Sequence, residues 1–216
     1  FITPDVKVTY NGGSLVQGTD YKVSYSNNYN VGTATVTITG YGSFVSSKTT
    51  TFVITRRNVS GYVMDLMKKS LTYTSKALTP AAAGIQSTDG TFVLDDDEIA
   101  DFIVRYTANV NVGTATVTAT AGSQSNYTGS VSAEFSIVPK ALDGATAVAE
   151  DTEYTGDEVT PVVMVTSDGM VLSADDYTVS YENNIEVGTA GITVTGKGNY
   201  TGIITGSFEI TARSIK

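Results

Sequence analysis

DYKVSYSNNYNVGTATVTITG, starting at Asp20, returns as DFIVRYTANVNVGTATVTATA from Asp101 and as DYTVSYENNIEVGTAGITVTG from Asp176. The aligned glycines, Gly32, Gly113 and Gly188, stand 81 and 75 residues apart. Such a spacing is too long for one unit of a solenoid and suits a small self-contained β domain. A second marker precedes each block, TPDVKV at Thr3, TPAAAG at Thr79 and TPVVMV at Thr160, and a third follows it, TFVIT at Thr51, EFSIV at Glu134 and SFEIT at Ser207. One order of markers three times over is one module in tandem. The boundaries read as 1–56, 57–139 and 140–213, with 214–216 starting the link to a further module, and the joints TRRN, VPKA and TARS leave little room for flexible linkers.

Repeat 1 is shorter than the others. Repeats 2 and 3 carry roughly twenty residues ahead of their Thr-Pro, including LTYTSKAL from Leu71 and TEYTGDEV from Thr152, whereas Phe1 and Ile2 align only with the end of those segments. An opening strand is therefore expected to be missing from repeat 1. The simplest expectation is an internal piece of a longer array, the alternative being a strand donated by another chain.

Within each repeat the apolar period is two. In TATVTITG, Ala34, Val36 and Ile38 share one face and the threonines the other; Ala115, Val117 and Ala119, and Ala190, Ile192 and Val194, repeat the pattern. The preceding strands add Val23 and Tyr25, Val104 and Tyr106, and Val179 and Tyr181 to the inner face. The closing strands add Phe52 and Ile54, Phe135 and Ile137, and Phe208 and Ile210. Each large apolar side chain contributes roughly 1.5–3 kcal/mol when fully buried, so such a module needs no disulfide. Only 16% of residues are charged, with Thr, Ser, Gly and Tyr filling the wet faces, which again favours sheets. The fold expected is all-β: tandem immunoglobulin-like β-sandwich modules arranged as an elongated rod.

Composition narrows the function. A net charge of −9 repels phosphate backbones and anionic headgroups, so neither nucleic acid nor a membrane surface is expected as partner, and no apolar run approaches the eighteen or more residues that membrane insertion of this segment would require. The absence of both cysteine and histidine removes thiolate nucleophiles, the commonest general base and the commonest transition-metal ligand. No catalytic residues are assigned and no enzyme is expected. No cofactor is expected either, apart from a calcium candidate named below.

The run GTDYxVSYxNNxxVGTAxxTxTGxGNYTG, completed by an F-x-I strand, resembles the bacterial immunoglobulin-like (Big-type) repeats found in tandem on large secreted and surface-anchored proteins, adhesins among them. The resemblance covers nearly the whole chain. It implies an extracellular, bacterial-surface or secreted location and a stalk, spacer or adhesive scaffold, with no catalytic residues to carry over. Repeat 2 departs most, with DFIVRY, TAN and the longer loop AGSQSNYTG.

A few residues invite a closer look. Tyr29 and Tyr41 are aromatics private to repeat 1 at expected loop tips, their slots holding Val110 and Ile185, and Lys197 of repeat 3. They are the ligand-binding candidates, weighed against chance exposure. Asp95, Asp96, Asp97 and Glu98 are the calcium candidate, since calcium takes six to eight oxygens; the bland reading is a solvated acidic loop. Tyr127 and Tyr200, with Phe44 in the same slot, read as packing residues closing a turn. Asn58, Asn126 and Asn199 fit the glycosylation acceptor triplet. SNNYNVG reads as the hairpin connection before Gly32. The chain is thus expected to be a non-catalytic spacer in contact with neighbouring repeats of its own polypeptide. The alternative is an adhesin or carbohydrate-binding array gripping a glycan or a host surface protein through loop tips.

Overall fold

A computed structural model describes residues 1–215, and the fold is all-β, with an α-helix at Asp96–Ala100 and a 3-10 turn at Ala174–Asp176. The chain forms two compact units, one holding Phe1–Met64, Gly84–Arg105 and Thr118–Ser132, the other Asp65–Ala83, Tyr106–Val117 and Ala133–Lys216.

The alternating stretches become a three-stranded antiparallel motif in each repeat. In repeat 1, Tyr21–Ser26 pairs with Gly32–Gly40, placing Val23 opposite Ile38, and Gly32–Gly40 pairs with Ser47–Ile54, placing Ala34 opposite Phe52. Repeat 3 reproduces the register in Tyr177–Glu182, Gly188–Gly196 and Ile203–Thr211, with Val179 opposite Val194 and Ala190 opposite Phe208. Phe102–Thr107, Gly113–Ala121 and Ser130–Val138 keep the same order in repeat 2. A fourth strand then pairs parallel with the closing strand, Ser70–Thr72 in repeat 2 and Thr152–Glu153 in repeat 3. In repeat 1 the sheet stops at Ser47–Ile54. A second layer covers the first: in repeat 3, Thr146–Ala149 pairs with Val163–Ser167, which pairs with Met170–Val171.

The inner face is the one the alternation marks. Ala34, Val36, Ala115, Val117, Ala119, Ala190, Ile192 and Val194 are buried, as are Phe135, Ile137, Phe208 and Ile210. Four expected core residues of repeat 1, Val23, Tyr25, Ile38 and Phe52, are only half-buried; the last of them lies on the closing strand, which has no further strand beside it. Val104, expected inside, is exposed, on the outer edge strand of its sheet.

Two recurring words turn out to be bonded to each other. The hydroxyls of Tyr25, Tyr106 and Tyr181 donate to the carbonyls of Pro4, Pro80 and Pro161 at 2.6, 2.9 and 2.5 Å. One step earlier, the side-chain amides of Asn28, Asn109 and Asn184 each donate at 3.0 Å to the carbonyls of Ile2, Leu78 and Val159. The backbone returns the bond at 2.8 Å in all three, the Ile2, Leu78 and Val159 amides donating to the asparagine carbonyls. Thr-Pro and the Asn-rich knot recur together because they form one latch.

The connection from Ser26 to Gly32 is the expected hairpin turn, with left-handed backbone at its first residue: Asn27, Ala108 and Asn183 have φ of 54, 54 and 56°. Asparagine tolerates this region and alanine does not, at about 1–2 kcal/mol for an ordinary residue. Ala108→Asn is therefore expected to stabilise the chain by about 0.5–1 kcal/mol, read as a higher denaturant midpoint with an unchanged slope.

Candidate functional site

The turn that follows the latch is where successive repeats meet. Asn126 of repeat 2 reaches the tip of the repeat 1 turn: its side-chain oxygen accepts the Val31 amide at 2.8 Å and its side-chain nitrogen donates to the Asn30 side-chain oxygen at 3.0 Å. Asn199 of repeat 3 does the same to repeat 2, accepting from the Val112 amide at 2.9 Å and donating to the Asn111 side chain at 3.3 Å. The incoming chain is then stitched beside each asparagine. Arg57 and Val59 donate their amides to the carbonyls of Asn126 and Thr128, and Lys140 and Leu142 donate theirs to Asn199 and Thr201. Both stitches are two-residue parallel pairings, Arg57–Asn58 with Tyr127–Thr128 and Lys140–Ala141 with Tyr200–Thr201. Val59 and Leu142, fully buried, plug the repeat that follows.

The motif Asn-Tyr-Thr is thus a joint. Both amide atoms of Asn126 and Asn199 are engaged in it, and the side-chain oxygen of Asn58 accepts the Ser60 amide at 2.9 Å. The glycosylation pattern in these triplets coincides with side chains already used to hold backbone. Sequence reasoning missed the joint, although the co-recurrence of Asn-Tyr-Thr with Val-Gly carried the signal.

The two joints differ in how they treat their cation. Lys140 forms an ion pair with Asp168, beside Tyr73 and Tyr200, whose rings meet edge to face with centroids 5.5 Å apart. Arg57, in the corresponding place, stacks its guanidinium on the Phe92 ring at 3.8 Å. Around it lies a cavity of about 420 Å³ whose wall includes Tyr29, Ile54, Arg57, Phe92, Glu98 and Tyr127.

Tyr29 is exposed at the knot's tip and meets Phe1, ring centroids 5.5 Å apart. Tyr41 is also exposed, with the Lys22 ammonium 4.2 Å above its ring. They stand beyond opposite ends of the Gly32–Gly40 strand and form no common site.

The acidic stretch is ordered differently from the loop expected. Asp95 caps the Asp96–Ala100 helix, accepting the Glu98 amide at 2.8 Å, while the Glu98 carboxylate accepts the Asp95 amide at 3.0 Å. This reciprocal capping box follows from the Asp-x-x-Glu spacing, with Asp96 and Asp97 favoured in the first turn by the helix dipole. The Glu98 carboxylate also accepts the Tyr127 hydroxyl. Two of the four calcium-candidate carboxylates are so committed to the helix start, and no three metal-binding side chains converge among the described residues.

Burial, then the Glu98 hydrogen bond, pushes the Tyr127 phenol well above its ordinary value. A folded-state value above the unfolded one favours the protonated form, so this contribution is complete below about pH 10 and declines as pH rises beyond it. Tyr127→Phe is expected to flatten the alkaline limb of a stability-versus-pH curve while leaving the limb near neutrality in place.

No protein-family model and no curated protein sequence matches the chain. Similar solved structures include a protocadherin gammaB7 EC3-6 cis-dimer, 12% identical over 91% of this chain with a TM-score of 0.25. PcdhgB3 EC1-4 is 12% identical over 92% of the chain with a TM-score of 0.20, and the protocadherin GammaB4 extracellular domain 12% over 91% with 0.24. The chain spans 66% of the length of the first two and 44% of the third. Likenesses this distant carry no residue, ligand or partner across.

Proposed function

We propose that this chain is a non-catalytic spacer, a stretch of bacterial immunoglobulin-like repeats in a larger extracellular or surface protein, which sets the distance at which other domains are presented. The observation that carries the reading is the joint made twice from the same parts, Asn126 on Val31 and Asn30, and Asn199 on Val112 and Asn111. A segment whose role is to hold distance needs its modules fixed to one another more than it needs a pocket. Resistance to bending comes from the asparagine bonds and the backbone stitch beside each linker, and the linkers themselves have no glycine-rich slack. The Big-type motif supports the bacterial surface location.

Small-angle scattering of the intact chain tests the proposal. Three modules placed end to end, each about 40 Å long at roughly 3.4 Å per strand residue, give a radius of gyration on the order of 30 Å, against about 17 Å for a compact chain of this length. The smaller value contradicts the spacer reading. A glycan-array signal lost in Tyr29→Ala or Tyr41→Ala would place the adhesive alternative ahead of it.

A further inference from the structure

The joint between repeats 2 and 3 encloses a cavity of about 270 Å³ walled by Tyr73, Thr74, Lys140, Asp168, Met170 and Tyr200 among others. Tyr21, Tyr73, Tyr127 and Tyr200 are all more than nine-tenths buried. The Tyr21 hydroxyl donates to the Val6 carbonyl at 3.3 Å and the Tyr127 hydroxyl to the Glu98 carboxylate, but those of Tyr73 and Tyr200 have no hydrogen-bond partner among the described residues. No described polar side-chain atom is sealed away without a partner, so both oxygens open onto the cavity that their rings line. Buried hydroxyls left unpaired by protein need a partner from elsewhere. The wall's two charges neutralise each other in the Lys140–Asp168 ion pair, and residues 140–213 carry twelve acidic against three basic side chains, which repels anions. What the cavity offers is therefore hydroxyl chemistry beside aromatic and thioether surface. A sugar ring presents the matching halves: its C–H faces lie against the phenol rings and Met170, while its hydroxyls accept from Tyr73, Tyr200 and Lys140 and donate to Asp168. The volume is just under the roughly 300–1,000 Å³ of a drug-sized pocket, which suits one ring.

We propose that this cavity is a subsite for one uncharged pyranose ring, carried at the end or on a branch of a glycan, with the Tyr73 and Tyr200 hydroxyls, Lys140 and Asp168 as its hydrogen-bonding groups. The site goes beyond the spacer reading and is built by the joint itself. Tyr73 is set by its amide, which donates to the Val138 carbonyl at 2.9 Å, and Lys140 by its own, which donates to the Asn199 carbonyl at 2.9 Å. Asp168 stands in the turn between Val163–Ser167 and Met170–Val171, with φ of 50°. The joint between repeats 1 and 2 has no such site, because Glu98 occupies the Tyr127 hydroxyl and Arg57 lies on the Phe92 ring.

The test uses the intact chain, an array of neutral and acidic glycans, and calorimetry with the methyl glycosides of glucose, galactose, mannose, fucose and N-acetylglucosamine. The expected result is saturable binding of at least one neutral sugar, weakened about two- to tenfold by Tyr73→Phe or Tyr200→Phe and at least tenfold by Asp168→Asn. Each phenylalanine keeps the ring and removes only an unpaired hydroxyl, and asparagine tolerates the left-handed backbone at residue 168, so thermal unfolding of the three variants should stay close to that of the parent chain. Absence of saturable binding across both panels overturns the proposal, as does undiminished binding by the two phenylalanine variants, or a signal from acidic glycans alone. Binding lost in Tyr29→Ala or Tyr41→Ala and kept in Tyr200→Phe would place the ligand at the loop tips of repeat 1 and overturn it as well. None of these outcomes bears on the scattering radius, which tests the spacer reading separately.

Discussion

Phe135→Ala is expected to cost about 3–5 kcal/mol, the range for truncating a fully buried aromatic. Phe52→Ala in the same slot of repeat 1 should cost about half as much. The Phe135 ring is buried against Tyr106, with centroids 6.4 Å apart, so its loss leaves a cavity with little freedom to close. Phe52 is half-buried on a closing strand whose outer edge is open, so solvent already reaches part of its ring. Denaturant unfolding of the two single variants measures the difference. Equal costs would mean that repeat 1 is as tightly covered as repeat 2.

Gly196→Ala should be the next most damaging change, at about 1–3 kcal/mol. A Cβ there would lie 2.8 Å from the Thr201 amide nitrogen and 3.0 Å from the Tyr200 carbonyl carbon. Those atoms are backbone and belong to the strand that stitches the joint, so the strain falls on the Lys140–Ala141 pairing. Repeat 2 supplies the natural control. It carries Ala121 at this position and a loop two residues longer, AGSQSNYTG against GKGNYTG, which gives the extra methyl group room. Ala121→Gly should accordingly change stability little, and thermal unfolding of both variants reads the contrast.

Much of this architecture was legible because period-two alternation and turn residues are local properties. Ala115, Val117 and Ala119 face the core as their spacing requires. The joint was hidden for the opposite reason. Asn126 is separated from Val31 by 95 residues, and nothing local distinguishes an asparagine that bonds across a junction from one that starts a turn. The acidic stretch failed differently. Asp95 and Glu98 stand in a run of charges that suits a solvated loop, although their three-residue spacing is the signature of a helix start. Tyr29 drew attention as a private aromatic, and the structure sets it against Phe1 on the rim of the joint, leaving contact with a ligand as one outcome of the glycan test.

Amide hydrogen exchange at Val31, Val112 and Val187 tests the central claim most directly. The three valines occupy the same turn position, but only Val31 and Val112 donate to an asparagine of the following repeat. A net hydrogen-bond contribution of about 0.5–1.5 kcal/mol predicts exchange several-fold to about tenfold slower at Val31 and Val112 than at Val187. Asn126→Ala should bring Val31 up to the Val187 rate and leave Val112 unchanged. If all three amides exchange alike in the unmodified chain, the repeats are not clasped at these turns and the joint is contradicted.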